Sequence, residues 1–196
     1  MPNLYMKFPE GRGKVLTFSY DDGVSQDKRL IEIFNRYGMK ATFNINSAGP
    51  DELDLSPHPS RVHLDEDEVR KLYIPSGHEV ALHTYSHPFP HLIPSAQMAY
   101  EVILDRKNLE SRLGTIITGM AYPMGTYNEE TLDVLRACKI SYCRTIKSTG
   151  AFEYPPKNWL TLNPTAHHGD KNLMTLASRF LSLDASLSKS NYIISY

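Results

Sequence analysis

Short β-branched and aromatic runs alternate with helix-period segments along almost the whole chain, and this alternation restricts the fold more than any other feature. Residues 14–20 (KVLTFSY), 39–45 (MKATFNI), 78–83 (HEVALH), 115–122, 139–145, 159–163 and 191–196 (NYIISY) read as strands. After the first strand, Leu30, Ile31, Phe34 and Tyr37 share one helical face that Gly38 ends. Helices are also expected over residues 65–73, 95–113 (Met98, Val102, Leu109 and Leu113 inward) and 129–138, the last capped by Asn128. Leu173, Leu176, Ala177 and Phe180 form a final helical stripe. Parallel neighbours need crossover helices, so seven β-then-α units argue for an α/β fold on a parallel sheet. Periodicity alone leaves open whether that sheet closes into a barrel. Residues 46–64, rich in Pro, Asp and Ser, form too long a loop to be a simple connector.

A length of 196 residues favours a single domain, and 41% hydrophobic residues supply its core. The 21 basic and 22 acidic side chains nearly cancel, so no basic face is implied and nucleic acid is excluded as an expected partner. No apolar run is long enough for a membrane span, and MPNLYMKFPEGRGK lacks the apolar core of a signal peptide, which points to the cytoplasm. Cys138 and Cys143 are one possible pair, not a disulfide framework, and are expected as buried thiols.

In parallel α/β folds the reactive groups gather at the C-terminal ends of the strands. Three polar clusters fall there: Tyr20-Asp21-Asp22-Gly23, His83-Thr84-Tyr85-Ser86-His87, and Ala121 through Asn128. His83 and His87 are four apart, so one helical turn would put both imidazoles on one side, with Pro88 ending the turn. Two imidazoles and a carboxylate are a common donor set for a catalytic zinc. Adjacent aspartates at the end of an apolar strand repel each other unless a cation is near. A divalent ion would take one of them and leave the other to accept a proton from water. Asp21-Asp22-Gly23 read alone is more readily a turn that caps the next helix.

Jointly these segments resemble the polysaccharide deacetylase family, also called the NodB-homology or carbohydrate esterase family four domain. Thr17-Phe18-Ser19-Tyr20-Asp21-Asp22-Gly23 is similar to its first motif, His83-Thr84-Tyr85-Ser86-His87 matches its H-[ST]-x-x-H motif, and Tyr122 through Asn128 resembles its third. The resemblance spans roughly residues 16–128 and implies a distorted (β/α)7 barrel. It implies Asp21 as general base, Asp22, His83 and His87 as metal ligands, and the Met124 backbone N–H as an oxyanion donor. The implied cofactor is a divalent metal, zinc before cobalt, nickel or manganese, and the implied substrate an acetylated sugar or oligosaccharide. Tyr20, Pro123, Tyr127 and Trp159 are the candidate substrate-binding residues, with Asn44 and Asn46 also expected at the rim. Polymeric glycans as substrates would argue for export rather than a cytoplasmic location.

The chain departs from the family pattern at three places. The arginine usually found two residues before the proline is Ala121, which should raise the pKa of Asp21 unless another cation substitutes. The aromatic residue after the proline is Met124. The last motif supplies a histidine as general acid, yet no histidine follows His168 and the chain ends at Tyr196 inside a strand pattern. The expectation is therefore a domain lacking its C-terminal end, whose exposed strand edge could pair with another chain. His168 or His167 is the available substitute acid, only one of the pair facing inward in an extended segment. His58, His63, His78 and His91 are expected in structural or solvated roles. Three activities stay open: carbohydrate deacetylation (N- or O-linked), hydrolysis of a cyclic amide or ureide, and metal or glycan binding without turnover.

Overall fold

The computed structural model describes residues 7–49, 62–152 and 154–183 and the backbone of 191–195. Its elements follow in the order β1 (Lys14–Asp21), α1 (Asp27–Arg36), β2 (Ala41–Ile45), α2 (Glu66–Tyr73), β3 (Glu79–Leu82), α3 (Ser95–Leu113), β4 (Gly119–Ala121), α4 (Glu129–Ala137), β5 (Tyr142–Arg144), α5 (Leu173–Ser182) and β6 (Asn191–Ser195). All strand pairs are parallel, in the order β5-β4-β3-β2-β1-β6. The expected α/β class therefore holds.

The sheet is curled. Four strand spacings separate β5 from β1, roughly 19 Å across a flat sheet and beyond the reach of any side chain. Yet Arg144 on β5 donates from Nε to Ser19 Oγ on β1 at 2.9 Å. Only a sheet bent toward a half-barrel allows that contact. Ser19, Asp21, Asn44 and Arg144 point inward, whereas Phe43, Leu82 and Met120 join the apolar cluster with Leu135 of α4. A second, smaller cluster joins Phe152, Ala166, Leu176 and Phe180.

Local chemistry explains most boundaries. Asp65 and Glu68 form a capping box at the start of α2, and Asn128 with Thr131 forms another at α4. Gly114, with φ 68, ends α3 in a left-handed cap. Lys14 Nζ donates to the carbonyls of Phe180, Leu181 and Leu183 at 2.9–3.1 Å, tying the end of α5 to the start of β1.

Several expectations are corrected. Residues 159–163 form no strand: Trp159–Thr161 is a 3₁₀ turn capped by Asn158, and only Leu162 bridges to Arg144. Two prolines and a capping asparagine leave too short an apolar run for a ladder there. Among the described residues the sheet thus has six strands, where seven were expected. β4 and β5 keep only three residues each of the longer runs expected. Tyr37 is 66% exposed, because α1 stops one residue earlier and Tyr37 leaves the buried face. Cys138 and Cys143 are free thiols, and only Cys143 is buried. Among the described residues no helix is long and apolar enough to cross a membrane. His58 lies outside the described residues.

Candidate metal centre

Asp22, His83 and His87 come together at the C-terminal edge of the sheet, with one donor atom from each inside a 4.8 Å span. Asp22 Oδ1 lies 3.5 Å from His83 Nε2 and 3.6 Å from His87 Nε2. Those separations are long for hydrogen bonds. They match ligands that share a tetrahedral ion, which at bond lengths of about 2.0–2.2 Å sit roughly 3.3–3.6 Å apart. His83 Nδ1 lies 2.9 Å from the Ala121 carbonyl, so it carries the proton and leaves the Nε2 lone pair for a cation. Burial, and then the neighbouring His83, hold His87 down at about 4 against the pull of Asp22 and Asp21. A neutral imidazole is the form that binds metal. The donor set therefore fits a divalent ion on its own geometry.

The two histidines do not share a helical turn. His83 follows β3, and the segment to His87 is an irregular loop with φ of 64 at Thr84 and 62 at His87. Asp22 (φ 76) and Met124 (φ 54) are left-handed too. Thus four of the six non-glycine residues with positive φ among the described residues belong to this edge. Such conformations cost about 1–3 kcal/mol each and persist where surrounding structure enforces them. Gly23 shows the enforcement: its φ is +64, and a Cβ there would come within 2.8 Å of Ile45 Cγ2. His63 helps as well, its Nδ1 lying 3.0 Å from the Asp22 carbonyl.

Asp21 points into the half-barrel, where Arg144 NH2 and Asn44 Nδ2 both donate to its Oδ1. Arg144 is 1% exposed, and its NH1 also donates to the Thr145 carbonyl at 3.0 Å. Burial pushes the Asp21 carboxyl up, but the Arg144 charge, the neighbouring His83 and the hydrogen bonds from Arg144 and Asn44 outweigh it and hold it below the usual carboxylate range. The upward shift expected from Ala121 does not occur, because a cation reaches Asp21 from β5. Its only sequence signal was a charge in a short apolar strand. Ala121 pairs with Arg144 in register, so a small side chain at 121 lies beside the guanidinium's strand.

The other candidates divide. Pro123 is buried and Met124 exposed in a turn closed by the Gly125 N–H to the Tyr122 carbonyl at 2.9 Å. The positive φ of Met124 is the type II pattern. Tyr127 stacks on Tyr122 with ring centroids 5.0 Å apart. Asn46 Nδ2 donates to the His83 and Thr84 carbonyls. Tyr20 instead packs outward against Phe34 and Phe43. His168 stacks on Tyr20 at 5.8 Å and is not part of the donor group. His167 and His168 do not diverge: a turn brings their rings to 4.2 Å. Trp159, 44% exposed, lines a cavity of about 200 Å³ with Val15, Thr42, Glu79 and Tyr142, toward the strands' N-terminal ends.

A family model described as polysaccharide deacetylase matches residues 9–143. The chain belongs to the polysaccharide deacetylase family. No curated protein sequence matches it significantly. Among solved structures, the Streptococcus pyogenes deacetylase PplD in complex with acetate aligns with a TM-score of 0.63 at 20% identity, covering 74% of this chain and 61% of that one. The family 4 carbohydrate esterase from Streptomyces lividans in complex with acetate aligns at 0.58 and 17% identity, covering 92% and 78%. BA3943 from Bacillus anthracis, described as a family pseudoenzyme, aligns at 0.58 and 14% identity, covering 98% and 57%. At these identities the likeness establishes the fold. This polysaccharide deacetylase chain spans less than two thirds of the length of the first of these, PplD.

Proposed function

We propose that this chain is a metal-dependent hydrolase that removes an acetyl group, N- or O-linked, from a carbohydrate. The observation that carries the proposal is the pairing of the Asp22-His83-His87 donor set with a neighbouring carboxylate, Asp21, kept ionised by Arg144. A divalent ion held there, zinc by preference from the donor set, would supply Lewis acidity toward water and the acyl oxygen. Asp21 takes the proton of the attacking water. Its Oδ1 is occupied by Arg144 and Asn44, which leaves Oδ2 as the accepting atom. The Met124 N–H, presented by a left-handed turn, donates to the oxygen on which negative charge develops. Met124 and Tyr127, both exposed, form the wall beside which the sugar lies.

His168, the residue expected to protonate the leaving group, stands against Tyr20. That placement favours a second reading, a domain that binds metal and glycan without turnover. Acetate release from N-acetylglucosamine oligomers and from acetylated xylan, with zinc supplied, separates the two. The hydrolase reading expects release by the wild type, none by Asp21→Asn, and zinc retained by that variant. Zinc binding with no release from either substrate would leave the binding domain. No zinc binding at all would sink both.

A further inference from the structure

We infer that Glu101 and Asp105, buried acids one turn apart on α3, are positioning residues that hold the His83–His87 segment in the shape that brings its imidazoles together. The inference rests on the metal-centre reading above, but its structural content is separate. Glu101 Oε2 accepts from the Ser86 N–H and its Oε1 from Ser86 Oγ, both at 2.8 Å. Asp105 Oδ2 accepts from the His83 N–H at 3.1 Å, and its Oδ1 from the Ser47 N–H at 2.9 Å. All four carboxylate oxygens are thus spent on two loops at the edge of the sheet. Asn46 grips the same segment from its other side, donating to the His83 and Thr84 carbonyls.

Stability of the helix does not explain this arrangement. Glu101 is 4% and Asp105 0% exposed, and neither forms an ion pair among the described residues. Burying two acids one turn apart without a cation is unfavourable, and burial with the neighbouring Glu101 pushes the Asp105 carboxyl well above the usual carboxylate range. Apolar side chains at 101 and 105 would fill the same face of α3 at lower cost, as Met98, Val102 and Leu109 do. What apolar residues could not do is accept the N–H groups of His83 and Ser86. Those amides are turned toward the helix because Thr84 and His87 are left-handed, which prevents the segment from continuing as either strand or helix. The acids hold that backbone, and the backbone sets where the two Nε2 atoms stand. They touch neither metal nor substrate and act only through the histidines.

The test compares wild type with Glu101→Met, Asp105→Leu and Ser86→Ala in the full chain. Zinc affinity is measured by competition with a chromophoric chelator, and amide hydrogen exchange at His83 and Ser86 is followed without metal. Glu101→Met and Asp105→Leu remove every acceptor oxygen at similar volume on a face already apolar at Met98, Val102 and Leu109, and circular dichroism checks that each variant folds. Both should weaken zinc about 10–100-fold, the usual effect of removing an outer partner of a metal ligand, and should speed exchange at the amide each one holds. Ser86→Ala, which keeps the backbone bond to Glu101, should change affinity only a few-fold. Lower thermal stability with unchanged zinc affinity and unchanged exchange would overturn the inference. If wild type itself binds no zinc, the metal-centre reading fails. The exchange data then decide the clamp alone: protection lost in the variants supports it, and protection unchanged overturns it.

Discussion

Replacing Arg144 by methionine tests how the half-barrel keeps a charged group inside. The guanidinium is 1% exposed and its partner Asp21 26% exposed. Removing one member of a fully buried pair costs about 3–5 kcal/mol, because the other charge stays behind without compensation. Asp21 retains some contact with water, so the expected loss for Arg144→Met is smaller, about 2–4 kcal/mol. Part of this is the hydrogen bonds to Ser19 Oγ and the Thr145 carbonyl, which do not depend on Asp21. Asp21→Asn should also destabilise, by leaving the cation facing a neutral amide. The double variant Asp21→Asn/Arg144→Met removes both charges at once. Its loss should fall short of the summed single losses by about 0.5–3 kcal/mol, the coupling expected for residues in contact. Urea denaturation of the four proteins at pH 7 with chelator present reads this directly. Arg144→Lys should behave like the methionine variant in large part, since an ammonium cannot reach Ser19 and Asp21 together as a planar fork does. Additive single losses, within about 0.5 kcal/mol, would refute the claim that Arg144 serves Asp21.

Two further outcomes follow from local geometry. Gly23→Ala should destabilise by about 1 kcal/mol for its φ of +64 and a further ~1–3 kcal/mol for the collision with Ile45. Gly38→Ala, at φ +63 with nothing within 4 Å, should show only the first part, and equal thermal shifts for the two would contradict the steric account. Burial pushes Asp27 up to about 7, against the hydrogen bond from the Tyr73 hydroxyl at 2.5 Å and aided by Asp21 and Asp22. An acid raised from its ordinary 3.8 contributes stability that is full below that pH and lost as pH climbs through about 7, ~4 kcal/mol at most. Wild-type stability in metal-free buffer should therefore fall between about pH 4 and pH 7 and level off above, and Asp27→Asn should flatten that slope; equal slopes would remove Asp27 from the account.

The grouping of Asp22, His83 and His87 at one edge of the sheet was legible because its parts are local. Asp22 lies one residue past β1, His83 one residue past β3, and His87 four residues further on. The strand-helix alternation likewise reports parallel pairing, since covalent connectivity demands the crossover. Strand lengths were less legible. The apolar run at 115–122 contains Gly119–Ala121 as its only strand, because pairing requires a neighbour in register as well as an apolar sequence. The helical-turn reading of His83 and His87 failed for a similar reason: spacing alone cannot register the left-handed φ of Thr84 and His87.

From the sequence alone came the donor types, their order along the chain, the α/β class and the loss of the arginine at 121. Tertiary structure decided which cation answers Asp21, which acids hold the histidine loop, and where His168 and Trp159 stand. Arg144 and Asp21 are 123 residues apart, and no local pattern connects them. Their contact exists because the strands twist and the sheet curls, folding the inward side of β5 back over β1. Whether a buried charge finds its partner is settled by that curvature, which belongs to the packed sheet as a whole.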